Sequence, residues 1–144
     1  LGGWARDGTR EVPVLTAGFL MVEAQLWSHL GGFDEGYFLY GEDVDLCLRA
    51  RRLGARPMFT DACTYLHQGG ASSSSSADRM IGILKGKATL YGDHSMLGTG
   101  WLHRGLLLAG AALRASIERW VRPNSQTWRC AWHHREAWRH GWKR

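Results

Sequence analysis

Cysteine is scarce in this sequence, and its spacing excludes two classes of small protein. The 144 residues contain three cysteines, Cys47, Cys63 and Cys130, and no two of them form a CxxC pair. A disulfide framework needs several cysteines that can pair, and a cysteine-based zinc module needs closely spaced thiolates. Neither is predicted, and a reducing compartment fits this cysteine content best.

Long hydrophobic runs are also missing. The two longest uncharged apolar stretches, residues 12–22 and 105–113, fall well below the roughly 20 residues that a membrane-spanning helix needs. The opening residues, LGGWARDG, lack the charged segment and apolar core that mark a signal peptide. They also lack an initiator Met, which indicates a fragment of a longer protein.

The composition that is present is typical of one soluble globular domain, with 44% hydrophobic and 22% charged residues. Its charge is unevenly distributed. Residues 1–100 carry nine Lys/Arg against eleven Asp/Glu, a net charge of −2, whereas residues 101–144 carry nine against two, a net charge of +7. Six of the eight tryptophans also lie in that C-terminal third. The two segments therefore need separate explanations.

Hydrophobic periodicity predicts short elements in the first part of the chain. Residues 12–22, VPVLTAGFLMV, are apolar and rich in β-formers, which predicts a buried strand interrupted at Gly18. The next segment predicts a short helix that ends at Gly31 in a left-handed cap. GEDVDLCLRARRLG predicts a second helix that stops at Gly54. ARPMFT and ACTYLH then predict two short strands separated by a turn at Asp61.

The later part is predicted to be helical. Residues 78–91 have an apolar face at helical spacing, and residues 101–121 predict another helix. Pro123 and Asn124 mark a break before a tail rich in Trp, Arg and His.

Three acidic residues open the second predicted helix, after the aromatic and glycine-rich loop GGFDEGYFLYG. At about 100° per residue, one polar face contains Glu42, Asp45, Arg49 and Arg52. Asp45 and Arg49 have the spacing of an ion pair. Asp43 is turned toward the apolar side, so its carboxylate should face the protein or a cleft. Two interpretations stay open: acids that cap a helix at its positive end, or a functional acid.

His67 is a second candidate for chemistry. It ends the last predicted strand and precedes Gln68, Gly69 and Gly70, where backbone amides can approach an anion or a metal-bound diphosphate. Neutral imidazole is a common metal ligand. The alternative is a surface histidine at a strand end.

A family resemblance connects these pieces. The stretch from residue 16 to residue 70, and more loosely to residue 91, resembles the C-terminal half of the catalytic domain of family 2 glycosyltransferases, especially rhamnosyltransferase-like bacterial enzymes. The motifs GGFDE, FLYGEDVDLCLRAR and HxGG carry it, in that order. The resemblance implies an α/β fold, the GT-A sandwich, and inverting transfer of a sugar from a nucleotide donor.

The resemblance also implies catalytic and donor-side roles. Asp43 matches the aspartate of the family's ED motif, the expected general base for the acceptor hydroxyl, and Glu42 is its companion. His67 matches a histidine that approaches the metal and the donor diphosphate, with Gly69 and Gly70 on the cofactor-binding side. The expected cofactor is a divalent metal, Mg²⁺ or Mn²⁺.

On the acceptor side, the resemblance implies that Gly18, Phe38 and Tyr40 line the site. The expected partners are a nucleotide-sugar donor and a glycan or lipid-linked acceptor, for a cell-surface polysaccharide built at the cytoplasmic face of the membrane. The family's N-terminal half, with its nucleotide pocket and DxD motif, is not in this chain. The isolated chain is therefore not expected to bind the donor or to be active.

The predicted division gives residues 1–95 to the acceptor-side part of a GT-A catalytic domain, followed by C-terminal helices. Residues 96–122 form an amphipathic helix whose Trp and Arg residues fit an anionic membrane interface as well as they fit core packing or partner docking. Residues 123–144 form a basic Trp-rich tail. A solvated or membrane-adjacent tail is favoured over nucleic-acid stacking, so nucleic acid is not an expected partner.

Two other functions stay open. One is a non-catalytic remnant whose basic tail binds a membrane or a protein partner. The other is a metal hydrolase that uses Glu42, Asp43, Asp45 and His67. The donor sugar, the acceptor and the linkage are not determined by the sequence.

Overall fold

The computed structural model describes residues 5, 7–66, 75–95 and 98–142, and the chain forms two compact units. The first unit comprises Leu1–Asp34 and Glu42–Gln68, and the second comprises Glu35–Gly41 and Gly69–Arg144. Across the described ranges the structure is mainly helical, with a single antiparallel pair of short strands.

The two helices of the first unit are α1, Ala24–Leu30, and α2, Glu42–Arg52. Gly31 ends α1 with φ 70°, and its N–H donates to the Ser28 carbonyl. Gly54 has φ 85° just beyond α2. Glycine adopts this left-handed conformation without the steric cost of a Cβ. Both predicted helices, and both glycine stops, are confirmed.

The strands of the first unit are β1, Arg10–Glu11, and β2, Met58–Phe59, with Arg10 opposite Phe59. The prediction of a strand over 12–22 is wrong: the Val12 N–H still bonds the Pro57 carbonyl at 2.9 Å, but the residues after it are irregular. The strand predicted in ARPMFT is confirmed at β2, whereas residues 62–66 form none. A strand needs a neighbour for its backbone bonds, and these segments pair with no strand in the described ranges.

Three helices build the second unit. Their bounds are α3, Ser76–His94, α4, Gly100–Val121, and α5, Thr127–His133, followed by a 3₁₀ turn over Arg135–Ala137. The Ser75 hydroxyl caps α3 by accepting from the Asp78 N–H at 3.1 Å. The helices predicted over 78–91 and 101–121 are confirmed, and α4 ends just before the break predicted at Pro123.

The core of the second unit is built around Trp138, which is 0% exposed. It packs with Leu84 of α3, Ala111 of α4 and Ala131 of α5. Its indole N–H donates to the Ala131 carbonyl at 2.7 Å, so the polar end of this side chain is satisfied inside the core. The expectation of a solvated tail is therefore wrong for Trp138, because this part of the tail folds against α3 and α4.

None of the helices in the described ranges combines the length and apolar character that crossing a membrane requires.

Candidate active site

The first turn of α2 carries the candidate acids. The two residues before it both have left-handed backbone, with φ 65° at Tyr40 and φ 106° at Gly41. A bulky residue in this region is strained, and such strain is found often at functional sites. The turn presents Glu42 and Asp43 at the positive end of the helix, where negative charge is stabilised.

Asp43 is half-buried and held by two backbone donors. Its Oδ2 accepts from the Ala17 N–H at 3.3 Å, and its Oδ1 accepts from the Val44 N–H at 2.8 Å. The first of these bonds joins α2 to the irregular segment over 12–22. The expectation that Asp43 faces the protein is confirmed, and its catalytic role stays a prediction.

Glu42 lies beside it in a different environment. Its Oε2 is buried and has no hydrogen-bond partner among the described residues. Burial raises the pKa of Glu42 above its usual value; its own backbone N–H opposes this, and the negative charge of Asp43 adds to it. The pair therefore combines a carboxylate fixed by backbone donors with a carboxyl group that keeps its proton to higher pH.

Asp45 was expected on a polar face with Glu42, and the structure corrects this: Asp45 is 2% exposed. Its Oδ2 accepts from the Arg49 Nε at 2.8 Å, which confirms the predicted ion pair. The Arg49 guanidinium also donates to the carbonyls of Leu30 at 2.7 Å and Gly32 at 2.9 Å. The pair thus fastens the end of α1 to α2 and has a structural role.

Two predicted acceptor-side residues, Phe38 and Tyr40, belong to the second unit. Phe38 is 82% exposed, and its ring centroid lies 5.6 Å from that of Trp142. Tyr40 packs on α3 at Gly82 and Gly86, where an added Cβ would overlap the Tyr40 ring or its carbonyl oxygen. The absence of a Cβ at these two glycines therefore lets Tyr40 approach α3 closely.

The third predicted acceptor-side residue, Gly18, belongs to the first unit and lies against Tyr65. An added Cβ at Gly18 would overlap the Tyr65 hydroxyl, and the Tyr65 ring centroid is 5.7 Å from that of Phe19. Gly18 therefore allows the close approach of an aromatic side chain. Tyr65 could not be identified from the sequence, because no local pattern links it to a residue 47 positions earlier.

The residues predicted on the donor side, His67, Gly69 and Gly70, lie outside the described residues. In the ranges that are described, no three His, Cys, Asp or Glu side chains are grouped so that they could hold a metal ion. Glu42, Asp43 and Asp45 follow one another on α2, yet they form no such group.

An apolar cleft of about 230 Å³ lies in the first unit. Leu26 and Leu30 of α1, Leu46 and Cys47 of α2, and Met58 of β2 contribute to its lining. Burial raises the pKa of the Cys47 thiol above its usual value, although a hydrogen bond with the backbone of Leu15 opposes this. A buried thiol held protonated is a poor nucleophile, so Cys47 serves as a packing residue.

Comparison with known proteins finds similarity to rhamnosyltransferases over part of the chain. Over 49 residues the chain is 42% identical to rhamnosyltransferase WbbL of Escherichia coli (strain K12), which covers 34% of this chain and 19% of that protein. Over 58 residues it is 38% identical to the N-acetylglucosaminyl-diphospho-decaprenol L-rhamnosyltransferase of Mycobacterium tuberculosis (strain ATCC 25618 / H37Rv), covering 40% of this chain and 19% of that protein.

The chain thus spans about a fifth of the length of the curated relatives it matches. No family model matches it. No solved structure matches it either. What the comparisons establish is a glycosyltransferase-like similarity confined to a part of these 144 residues.

Proposed function

We propose that this chain is the acceptor-side part of an inverting glycosyltransferase of GT-A fold, with Asp43 as its general base. The observation that supports this most directly is the environment of Asp43. Its carboxylate is half-buried at the start of α2 and held by the N–H groups of Ala17 and Val44. Next to it, the buried Oε2 of Glu42 has no hydrogen-bond partner in the described part of the chain. The partial similarity to rhamnosyltransferases supports the glycosyltransferase part of this proposal.

In the proposed step, Asp43 removes the proton of an acceptor hydroxyl. The hydroxyl oxygen forms the new bond to the anomeric carbon of the donor sugar as the bond from that carbon to the diphosphate oxygen breaks. The nucleoside diphosphate leaves with the bonding electron pair, and the proton stays on the Asp43 carboxylate. A positioned base raises the rate of such a step by about 10²-fold to 10⁴-fold.

Glu42 is proposed to contact the acceptor. Its Oε2 has no protein partner among the described residues, and its raised pKa keeps the carboxyl group protonated to higher pH than usual. Such a group can donate a hydrogen bond to an acceptor hydroxyl and accept one from it. This interaction would orient the hydroxyl toward Asp43.

The relatives suggest the substrate class. Both are named rhamnosyltransferases, and the name of the mycobacterial protein includes N-acetylglucosaminyl-diphospho-decaprenol. We therefore propose a nucleotide-activated L-rhamnose, or a similar sugar, as donor, and a diphosphate-lipid-linked sugar as acceptor.

The proposed step is confined to the acceptor side. A divalent metal remains part of the proposal for the donor side, with His67, Gly69 and Gly70 near the diphosphate. No metal-binding group is present among the described residues, so no step of the chemistry is assigned to a metal. Asp45, one of the acids of the metal-hydrolase alternative, is paired with Arg49.

The test is a transfer assay on the full-length product of the gene that encodes this chain, with nucleotide-activated L-rhamnose and N-acetylglucosaminyl-diphospho-polyprenol. Mass spectrometry should detect the rhamnosylated lipid. Asp43→Asn should lower kcat by about 10² to 10⁴, with an unchanged circular dichroism spectrum. The matched control is Asp7→Asn, at an exposed aspartate, which should retain normal turnover.

Two outcomes would contradict the proposal. Near-normal turnover of Asp43→Asn would make Asp43 a helix-capping residue instead of a base. Absence of product with a panel of nucleotide sugars would favour the non-catalytic alternative.

A further inference from the structure

The outer face of α4 carries a continuous row of exposed apolar side chains. At about 100° per residue, the members of this row lie within about 60° of one another around the helix. Each is between 45% and 83% exposed. We call this row the outer stripe, and it consists of Leu102, Leu106, Leu113, Ile117 and Trp120.

The outer stripe is separate from the core-facing side of the helix. The buried residues of α4 are Ala111, Ala115 and Glu118, which lie on the opposite side at the same angular spacing. α4 therefore has two apolar faces. In the described structure, the face with Ala111 and Ala115 is buried and the outer stripe is exposed. A row of large exposed apolar side chains on one element indicates an interaction surface.

Positive charge borders the outer stripe on both sides. Arg114 and Arg119 are exposed and lie at about +90° and −130° from its centre line, and the exposed Arg122 follows the end of the helix. The acidic residue of α4, Glu118, is buried and bonded to Ser125 and to Arg129. The exposed charge on this helix is thus entirely positive.

Tryptophans stand at the two ends of α4. Trp101 is 75% exposed at its first turn, and Trp120 is 83% exposed at its last. An indole ring combines an apolar body with one N–H donor, and it favours the boundary between lipid chains and headgroups. Two exposed indoles on one helix fit a membrane surface.

A groove of about 450 Å³ lies beside the outer stripe, between α3 and α4. Apolar side chains of both helices line its floor, among them Leu84 and Leu107, while Lys87, His103 and Arg114 supply cationic or titratable groups. A groove that combines apolar side chains with positively charged ones is complementary to an anionic amphiphile, such as a phospholipid.

The charge of the second unit also favours an anionic bilayer over a second copy of this chain as the occupant of the outer stripe. The second unit carries twelve Lys/Arg against five Asp/Glu, a net charge of +7. Two copies joined through the outer stripe would bring the arginines of both helices together, and no exposed carboxylate of α4 could pair with them. Anionic headgroups supply that negative charge. The helix is about 33 Å long, and its stripe can lie along a flat surface.

We propose that the outer stripe binds an anionic phospholipid bilayer, with α4 lying in the plane of the interface. The apolar side chains enter the boundary between headgroups and acyl chains, while Arg114, Arg119 and Arg122 contact lipid phosphates. This inference goes beyond the proposed function and is independent of it, because it involves no residue of the candidate active site.

The experiment is flotation of the 144-residue chain with vesicles of phosphatidylcholine alone, or with phosphatidylglycerol added. The chain should float with the anionic vesicles, and less so as salt rises. Leu113→Gln/Ile117→Gln should lower the affinity by about 100-fold or more, since two apolar side chains leave the interface. The uncharged matched control is Leu53→Gln/Leu66→Gln, which changes two exposed leucines of the first unit and should bind normally.

A second pair of variants tests the electrostatic part. Arg119→Gln/Arg122→Gln should weaken binding to anionic vesicles by roughly 30-fold, and Arg52→Gln/Arg56→Gln, with the same charge change in the first unit, should weaken it much less. Circular dichroism should show equal helix content in all variants.

The proposal is overturned if anionic and neutral vesicles bind equally, if neither binds, or if the Leu113→Gln/Ile117→Gln chain floats normally. It is also overturned if sedimentation shows a dimer that this variant disrupts while flotation is absent, because a second copy would then be the occupant.

Discussion

At the scale of the single residue, three carboxylates within one turn of α2 have three different environments. Asp43 is half-buried and held by backbone N–H groups, and Asp45 is buried in an ion pair with Arg49. Glu42 has a buried oxygen that bonds to none of the described residues. Their residue types are nearly the same, so the surroundings decide what each can do. Asp45 thus has a structural role, and the proposed catalytic roles concern Asp43 and Glu42.

The same substitution should therefore lower stability by different amounts two positions apart. Asp45→Asn removes one charge of a buried pair and leaves Arg49 without its counter-charge, which should lower the free energy of unfolding by about 2–3 kcal/mol, since Arg49 is partly exposed. Asp43→Asn keeps an oxygen that can accept from a backbone N–H, so it should lower the free energy by less than about 1 kcal/mol. Urea unfolding followed by tryptophan fluorescence measures both.

Equal losses in the two variants would contradict this division of roles. A larger loss in Asp43→Asn would make Asp43 the structural acid of the pair, and any loss of turnover in that variant would then reflect loss of folded protein.

The sequence predicted only part of this arrangement. The inward direction of Asp43 and the spacing of Asp45 and Arg49 follow from helical geometry, which is local. The burial of Asp45 does not, because it depends on the carbonyls of Leu30 and Gly32, which the fold brings to Arg49 from α1. For the same reason, the Ala17 N–H that bonds Asp43 could not be identified from the sequence.

At the scale of the element, the helices were predicted, whereas of the predicted strands only the one at β2 formed. The bounds of α1 and α2 follow from the apolar spacing and from Gly31 and Gly54, because a helix satisfies its backbone groups within one segment. The segment 12–22 has the composition of a strand, yet a strand forms only where a neighbour offers hydrogen bonds. The tail was also misjudged, because nothing local to Trp138 indicates the cavity that it fills between helices.

Helix α5 illustrates capping from a distance. Its N-cap residue, Gln126, makes no side-chain hydrogen bond to the helix. The Glu118 carboxylate of α4 takes this role, accepting from the Arg129 N–H at 2.9 Å and from the Ser125 hydroxyl at 2.6 Å. Burial acts to raise the pKa of Glu118, but these hydrogen bonds, a bond from the Trp128 N–H and the charge of Arg129 outweigh it and lower the pKa below its usual value.

This lowered pKa predicts a pH dependence of stability. The folded state holds the Glu118 proton less tightly than the unfolded chain, so the ionised group stabilises the fold at pH above about 4.5, its usual value. That contribution should disappear as the pH falls through the lower pKa of the folded state. Glu118→Gln should therefore lower the free energy of unfolding by about 1–3 kcal/mol at pH 7, and by progressively less in acid.

The matched control for this prediction is Glu136→Gln, because Glu136 is mostly exposed in its ion pair with Arg139. It should change the free energy of unfolding by less than about 0.5 kcal/mol at either pH. A Glu118→Gln deficit that stays constant from pH 7 into acid would show that packing, and not ionisation, accounts for it.

At the scale of the whole molecule, the two units differ in how much apolar surface they bury. In the second unit, Trp138, Leu84 and Ala131 form one buried cluster with Ala111 of α4. Among its described residues, the first unit buries no side chain larger than that of Leu46; it leaves Met21 and Leu66 largely exposed and contains an open apolar cleft. Since burial of apolar surface is the main stabilising contribution to folding, the first unit should be the less stable of the two.

Hydrogen exchange of the 144-residue chain tests this difference directly. Amides that open with a core exchange at a rate set by the stability of that core, so those of α3, α4 and α5 should exchange more slowly than those of α1 and α2. Trp138→Ala should remove about 3–5 kcal/mol of protection from the second unit, whereas Trp120→Ala, at an exposed tryptophan, should leave its protection nearly unchanged. Equal protection of the two units would contradict the expected difference in their stability. Equal effects of the two substitutions would mean that Trp138 does not set the stability of the second unit, because a side chain that anchors a core cannot be removed at the same cost as one on the surface.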